Sequence, residues 1–269
     1  MIKWGSNTIF LPHFIVVKRR WSNLKEKLVI ALKGQRLCRR IAVYVLGYFI
    51  TALGVAFSIH ANLGVAPAAS LPYIISLVFG QELPGTTVTI VFTCYILIQI
   101  AILRKRFKWI NVTQIIPSIL FGYFVDISIR FLAIVRVPDF RFLAYGGVDF
   151  HVFTYLAQLG LLLASIIAVA LGLIMVFDAN FVNLPVESLA KVITQVLPNH
   201  KHFSKFHVNK MMCDSVAVSL AILLSLLFLG GIVGIREGTV LSAIFIGKAM
   251  PYIRIVAEPA MRKVGIYKE

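Results

Sequence analysis

Residues 152–177 run for twenty-six amino acids without one charged side chain. Such a run is longer than a soluble domain needs for a core helix, and it can cross, with tilt, a hydrocarbon layer about 30 Å thick. Inside lipid, backbone N–H and C=O groups must bond within their own segment or within a closed barrel. The run shows no alternation of polar and apolar residues, so it predicts a helix.

The same grammar recurs along the chain. Residues 41–59 and 86–103 are uncharged. Residues 110–135 are apolar around Pro117, Asp126 and Arg130, residues 215–235 form a fifth run, and residues 238–253 form a sixth interrupted by Lys248. With 59% hydrophobic and 14% charged residues and a mean hydropathy of +0.88, a water-soluble globule is excluded. Two further segments, 67–80 and 185–197, are too short to cross, since fourteen helical residues reach only about 21 Å. They read as re-entrant or interfacial helices. Cys38, Cys94 and Cys213 lie far apart and form neither a disulfide framework nor a CxxC metal motif.

One stretch occurs twice. ALGVAFSIHANLGVAPAASL, residues 52–71, aligns without gaps on ALGLIMVFDANFVNLPVESL, residues 170–189, with eight of twenty positions identical. The identities include Gly54/Gly172, Asn62/Asn180, Pro67/Pro185 and Ser70/Ser188. Each copy ends an apolar run, places Asn among small residues and restarts on Pro. Asn tolerates left-handed backbone and Pro suits the first turn of a helix, so each copy predicts helix, break, helix.

Charge sets the orientation. Residues 1–40, 104–108, 179–210 and the tail from Arg254 hold 22 of the 27 Lys and Arg. The positive-inside rule then puts both termini in the cytoplasm, with six crossings. Three crossings per half turn the second half upside down relative to the first. The expected fold is all-α: six transmembrane helices in two inverted three-span repeats, each with a short re-entrant or interfacial helix. The units are a basic cytoplasmic segment (1–40), a first repeat (41–135), an outer linker (136–151), a second repeat (152–257) and a cytoplasmic tail (258–269). In the leader, the apolar stretch 8–17 is too short to span and lacks a small-residue cleavage site, so a signal peptide is not expected and a surface-lying segment on anionic lipid is.

LGVAFSIHANLGVAPAASLPY (53–73) and GIREGTVLSAIFIGK (234–248) resemble the YczE-like group of bacterial integral membrane proteins, over roughly residues 41–253. The resemblance implies a multi-pass inner-membrane protein and brings no established activity. The group often has an acid where this chain has Asn62, and Gly-Pro where it has Gly247-Lys248.

Polar residues at membrane depth are the remaining clues, because a charge at the centre of a span costs about 2.5–3.5 kcal/mol on insertion scales. Asp126 and Arg130 share a helix face and read as an interfacial ion pair or a gating pair. Lys248, near mid-depth, either snorkels or contacts an anionic solute. Asn62, Ser70, Asn180 and Asn183 surround the two breaks as candidate solute-binding residues or as caps, with Pro67 and Pro185 fixing the helices that follow. His60 lies at the first break, while Asp178 and Glu187 at the second read as ligand-facing groups or cytoplasmic surface charges. His200, His202 and His207 are interleaved with lysines that disfavour a metal. HExxH, GxxxxGK[ST] and GxSxG motifs are absent from the sequence. The sequence therefore predicts a non-enzymatic small-solute transporter or permease, without cofactor or metal. A substrate-binding subunit needing energising partners and a structural or regulatory membrane protein are the alternatives. Its expected partners are the lipid bilayer, a small solute, and a second copy or a partner membrane subunit; nucleic acid is not among them.

Overall fold

The computed structural model describes residues 37–81, 83–107, 109–140, 152–196 and 206–263. Residues 1–36 of the basic leader, most of the outer linker, His200, His202 and the last six residues lie outside these. The described residues form eight α-helices and no strands.

Helix α1 is Leu37–Ala61. It is followed by α2 (Pro67–Val78), α3 (Gly85–Leu103), α4 (Ile115–Ile134), α5 (Val152–Ala179), α6 (Pro185–Val196), α7 (Phe206–Leu229) and α8 (Glu237–Lys263). Six of them, all but α2 and α6, are long and apolar enough to cross a membrane. The short helices, twelve residues each, fall where the sequence places non-spanning segments. A 3₁₀ helix, Trp109–Gln114, leads into α4.

Two helices, α7 and α8, differ most from the sequence reading in their bounds. Helix α7 starts nine residues before the predicted 215, because Lys210 donates to Asp214 at 2.8 Å one turn on and the two charges neutralise each other along the helix. It stops at Leu229 because Gly230 turns left-handed at φ 71°. Helix α8 runs ten residues beyond the predicted 253, with Pro251 and Pro259 inside it.

Both breaks have the geometry their residues predict. Asn62 and Asn180 sit at φ 54° and φ 52°, each directly after the last residue of a helix, and each following helix has Pro at its first position. The left-handed residue ends the hydrogen-bond ladder and Pro, lacking an N–H, starts the next one without losing a bond.

Helices α1 and α5 cross at small residues. A methyl group on Gly54 would come within 2.9 Å of Val169 N and 3.0 Å of Ser165 O. One on Gly172 would come within 2.5 Å of Gly47 O and would strike Thr51 Oγ1. Contacts that pair 54 with 165 and 47 with 172 make the crossing antiparallel. Close backbone approach of this kind is how helices associate where burial from water gives no driving force. The other main pairings are α3 with α4, α5 with α8, α2 with α7, and α6 with both α3 and α7. Tyr48, Phe92 and Phe121 fill the centre, with Phe92 and Phe121 stacked at 6.0 Å.

Candidate functional site

The first break is closed by its neighbours. Val65 N–H donates to Gly234 O at 3.0 Å, Gly238 N–H to Leu63 O at 2.7 Å, and Phe140 N–H to His60 O at 2.9 Å. Asn62 Nδ2 donates to Phe140 O at 3.2 Å, and Arg236 reaches Asn62 O at the same distance. Gly64, at φ 114°, lies so close to Arg236 N and Thr239 that a side chain would not fit. The stretches 53–73 and 234–248 thus meet in space. His60 is buried, with Nδ1 donating to Ala56 O and Nε2 3.7 Å from Asp139. Ser70 is fully buried and its hydroxyl donates back to Pro67 O at 2.7 Å, so it serves its own helix.

The second break is held differently. Side chains of α1 satisfy its backbone: Arg40 donates twice to Ala179 O, at 3.1 and 2.7 Å, and Tyr44 and Tyr48 both donate to Val182 O. The Arg40 guanidinium also lies 5.1 Å from the Phe181 ring centre. Asp178, whose side chain is 8% exposed, pairs with Arg254 of α8 at 3.0 Å. These contacts leave a recess of about 210 Å³ lined by Phe177, Asn180, Asn183 and Lys191, with the Lys191 ammonium 5.9 Å from the Phe177 ring centre. Two amides, an ammonium and an aromatic face form a lining suited to a small polar or anionic solute.

Behind the recess lies a polar layer. Gln99 and Gln114 exchange hydrogen bonds at 3.1 and 3.2 Å, and Gln99 also donates to Pro185 O at 3.1 Å, tying α3 and the 3₁₀ helix before α4 to the start of α6. Both amides are buried. Glu187, one turn before Lys191, is 5% exposed, and its Oε2 has no hydrogen-bond partner. It is therefore not a surface charge. Burial pushes the Glu187 carboxyl above the usual glutamate range, against the opposing pull of Lys210.

The structure brings Asn180 and Asn183 together and leaves the other candidates elsewhere. Lys248 stands exposed on α8 and does not line the recess, which fits the snorkelling reading of this side chain. Helix α8 packs on α5 and, through Met250, Ile253 and Met261, near Val43 of α1, and little of its length is buried. Asp126 accepts from Gly85 N–H at 2.7 Å, capping α3, while Arg130 is exposed, so the carboxylate's direct partner is a helix terminus. Pro67 and Pro185 start their helices as expected. Sequence reasoning missed Lys191, Gln99, Gln114 and Tyr48. Gln99, a lone amide inside an apolar span, was the available signal. Among the described residues no three His, Cys, Asp or Glu side chains cluster as a metal site.

Together, the six apolar helices and the paired helix breaks define a multi-pass, membrane-spanning type of helical protein. The chain belongs to the family of unknown function DUF6198, whose model matches residues 38–254. No curated protein and no solved structure matches it.

Proposed function

We propose that this protein is a small-solute transporter or permease of the bacterial inner membrane, with its path between two inverted repeats. The observation that carries the reading is the contrast between two matched breaks: one is bonded shut by residues 234–238 and Phe140, and the other opens on a recess lined by Asn180, Asn183 and Lys191. Two copies of one device in opposite states is what alternating access requires.

The repeat is supported by reciprocity. Residue 54 meets 165 and 169, while residue 172 meets 47 and 51, and each number in the second set is 118 away from its counterpart. Residue i touching j′ while i′ touches j is the mark of a two-fold relation. Across an antiparallel pair the axis lies perpendicular to the helices, hence in the membrane plane. The exchange of short helices, α2 on α7 and α6 on α3, follows the same relation. The positive-inside rule favours both termini and the open recess on the cytoplasmic side. A kinship with the YczE-like group belongs to the same proposal, and the reading assigns no catalysis.

Purified protein in liposomes, offered labelled small carboxylates, phosphates and neutral polar solutes, tests it. Uptake by the protein alone is expected, reduced at least tenfold by Asn180→Leu or Asn183→Leu and unchanged by Lys248→Met. Thermal-shift binding without uptake would instead favour the second reading, a solute-binding subunit with energising partners. Lys248 supports that alternative, since an acid on a partner helix would offset the cost of its charge on an outward face.

A further inference from the structure

One buried carboxylate, one helical turn before Lys191, lies outside the lining of the recess. Glu187 lies in the first turn of α6, with Oε2 hydrogen-bonded to no group. The groups that face it are Tyr48 from α1, Lys210 and Asp214 from α7, and, on its own helix, Lys191 and the Glu187 backbone N–H, which bonds the carboxyl. From α3, Gln99 is neutral and Tyr95 faces Asp214. Lys210 is already committed to Asp214 at 2.8 Å, and Lys191 is exposed, where water screens it. An ionised Glu187 thus adds a second carboxylate to one shared ammonium in a place with little water. A proton on Oε2 removes that excess charge.

We propose that Glu187 is a proton-binding site, and that through it the recess at the second break is coupled to a proton gradient. The coupling half rests on the transport reading; the binding half does not. Proton and charge balance are simple: a proton from solvent joins a Glu187 oxygen, leaving Lys210 with Asp214. On its departure, the Lys210 ammonium is drawn between the two carboxylates, binding α6 more firmly to α7. Because α6 begins at the break that forms the recess, the charge of Glu187 acts on the element that must move for the recess to close.

Infrared difference titration of the full-length protein in nanodiscs tests the site without any solute. The expected result is a protonated-carboxyl C=O band that disappears at a pH above the ordinary glutamate range and is missing in Glu187→Gln. Asp214→Asn should move its midpoint down, and Lys210→Met should move it up. A wild-type spectrum indistinguishable from that of Glu187→Gln overturns the proposal. If Glu187→Gln fails to fold, a midpoint unmoved in both α7 variants overturns it equally. The two readings fail separately: a titrating Glu187 in a protein that moves no solute removes transport and leaves the site, while uptake insensitive to pH and to Glu187→Gln removes the coupling.

Discussion

Gly172→Ala is the sharpest perturbation of the α1–α5 crossing, and Gly160→Ala on the same helix is its control. At Gly172 the added methyl would strike Thr51 Oγ1 and come within 2.5 Å of Gly47 O; at Gly160 it would meet nothing within 4 Å. Backbone cannot move aside as a flexible side chain can, so the helices must separate along the length of the contact. Overpacking of this kind costs about 1–3 kcal/mol. Against it stands the helix-propensity gain of Ala over Gly, about 0.8–1.0 kcal/mol in peptides. The crossing term wins at Gly172, for a net loss reaching about 2 kcal/mol. Only the propensity term acts at Gly160, for a gain of up to about 1 kcal/mol. Reversible unfolding in mixed detergent micelles, followed by circular dichroism, measures both. Gly54→Ala should match Gly172→Ala in sign, because the crossing is reciprocal. Equal shifts for Gly160→Ala and Gly172→Ala would refute the close crossing.

At the breaks, Asn62→Ala and Asn180→Ala should each cost about 1–2 kcal/mol by forcing a left-handed alanine, whereas the Gly variants should lose less, as the same unfolding assay would read. Asp126→Ala should cost about 0.5–2 kcal/mol through loss of the α3 cap, with Asp126→Asn milder because its amide oxygen still accepts; near-additivity with Arg130→Gln in a double-mutant cycle would confirm that Gly85 is the main partner. Gln99→Leu should cost about 1–3 kcal/mol by leaving the Gln114 amide unpaired, and the double replacement Gln99→Leu/Gln114→Leu should lose less than twice that. Glu187 carries a raised carboxyl, so the unfolded chain releases its proton first as pH rises. Its contribution is intact below the ordinary glutamate value, falls as pH rises from there to the higher folded value, and is flat above; Glu187→Gln should remove that segment from a plot of stability against pH.

What the sequence determined by itself is what local chemistry settles. Uncharged runs longer than a soluble core needs become membrane-length helices, because lipid leaves the backbone no other donors or acceptors. Asn62 and Asn180 turn left-handed, and Pro67 and Pro185 start helices, because those preferences belong to single residues and their neighbours. Even the start of α7 was locally encoded, in the one-turn spacing of Lys210 and Asp214 that permits the helix to run through both charges. Side-chain exposure was decided only by tertiary structure. Lys248 read from the sequence as either a snorkelling or a solute-contacting group because it stands mid-run, and α8, little of whose length is buried, turns that residue outward. Glu187 read from the sequence as either a ligand-facing group or a surface charge, and α3 and α7 close over α6 and bury it. Which face of a helix meets another is fixed by partners distant in the chain, and no periodicity within one segment records who those partners are.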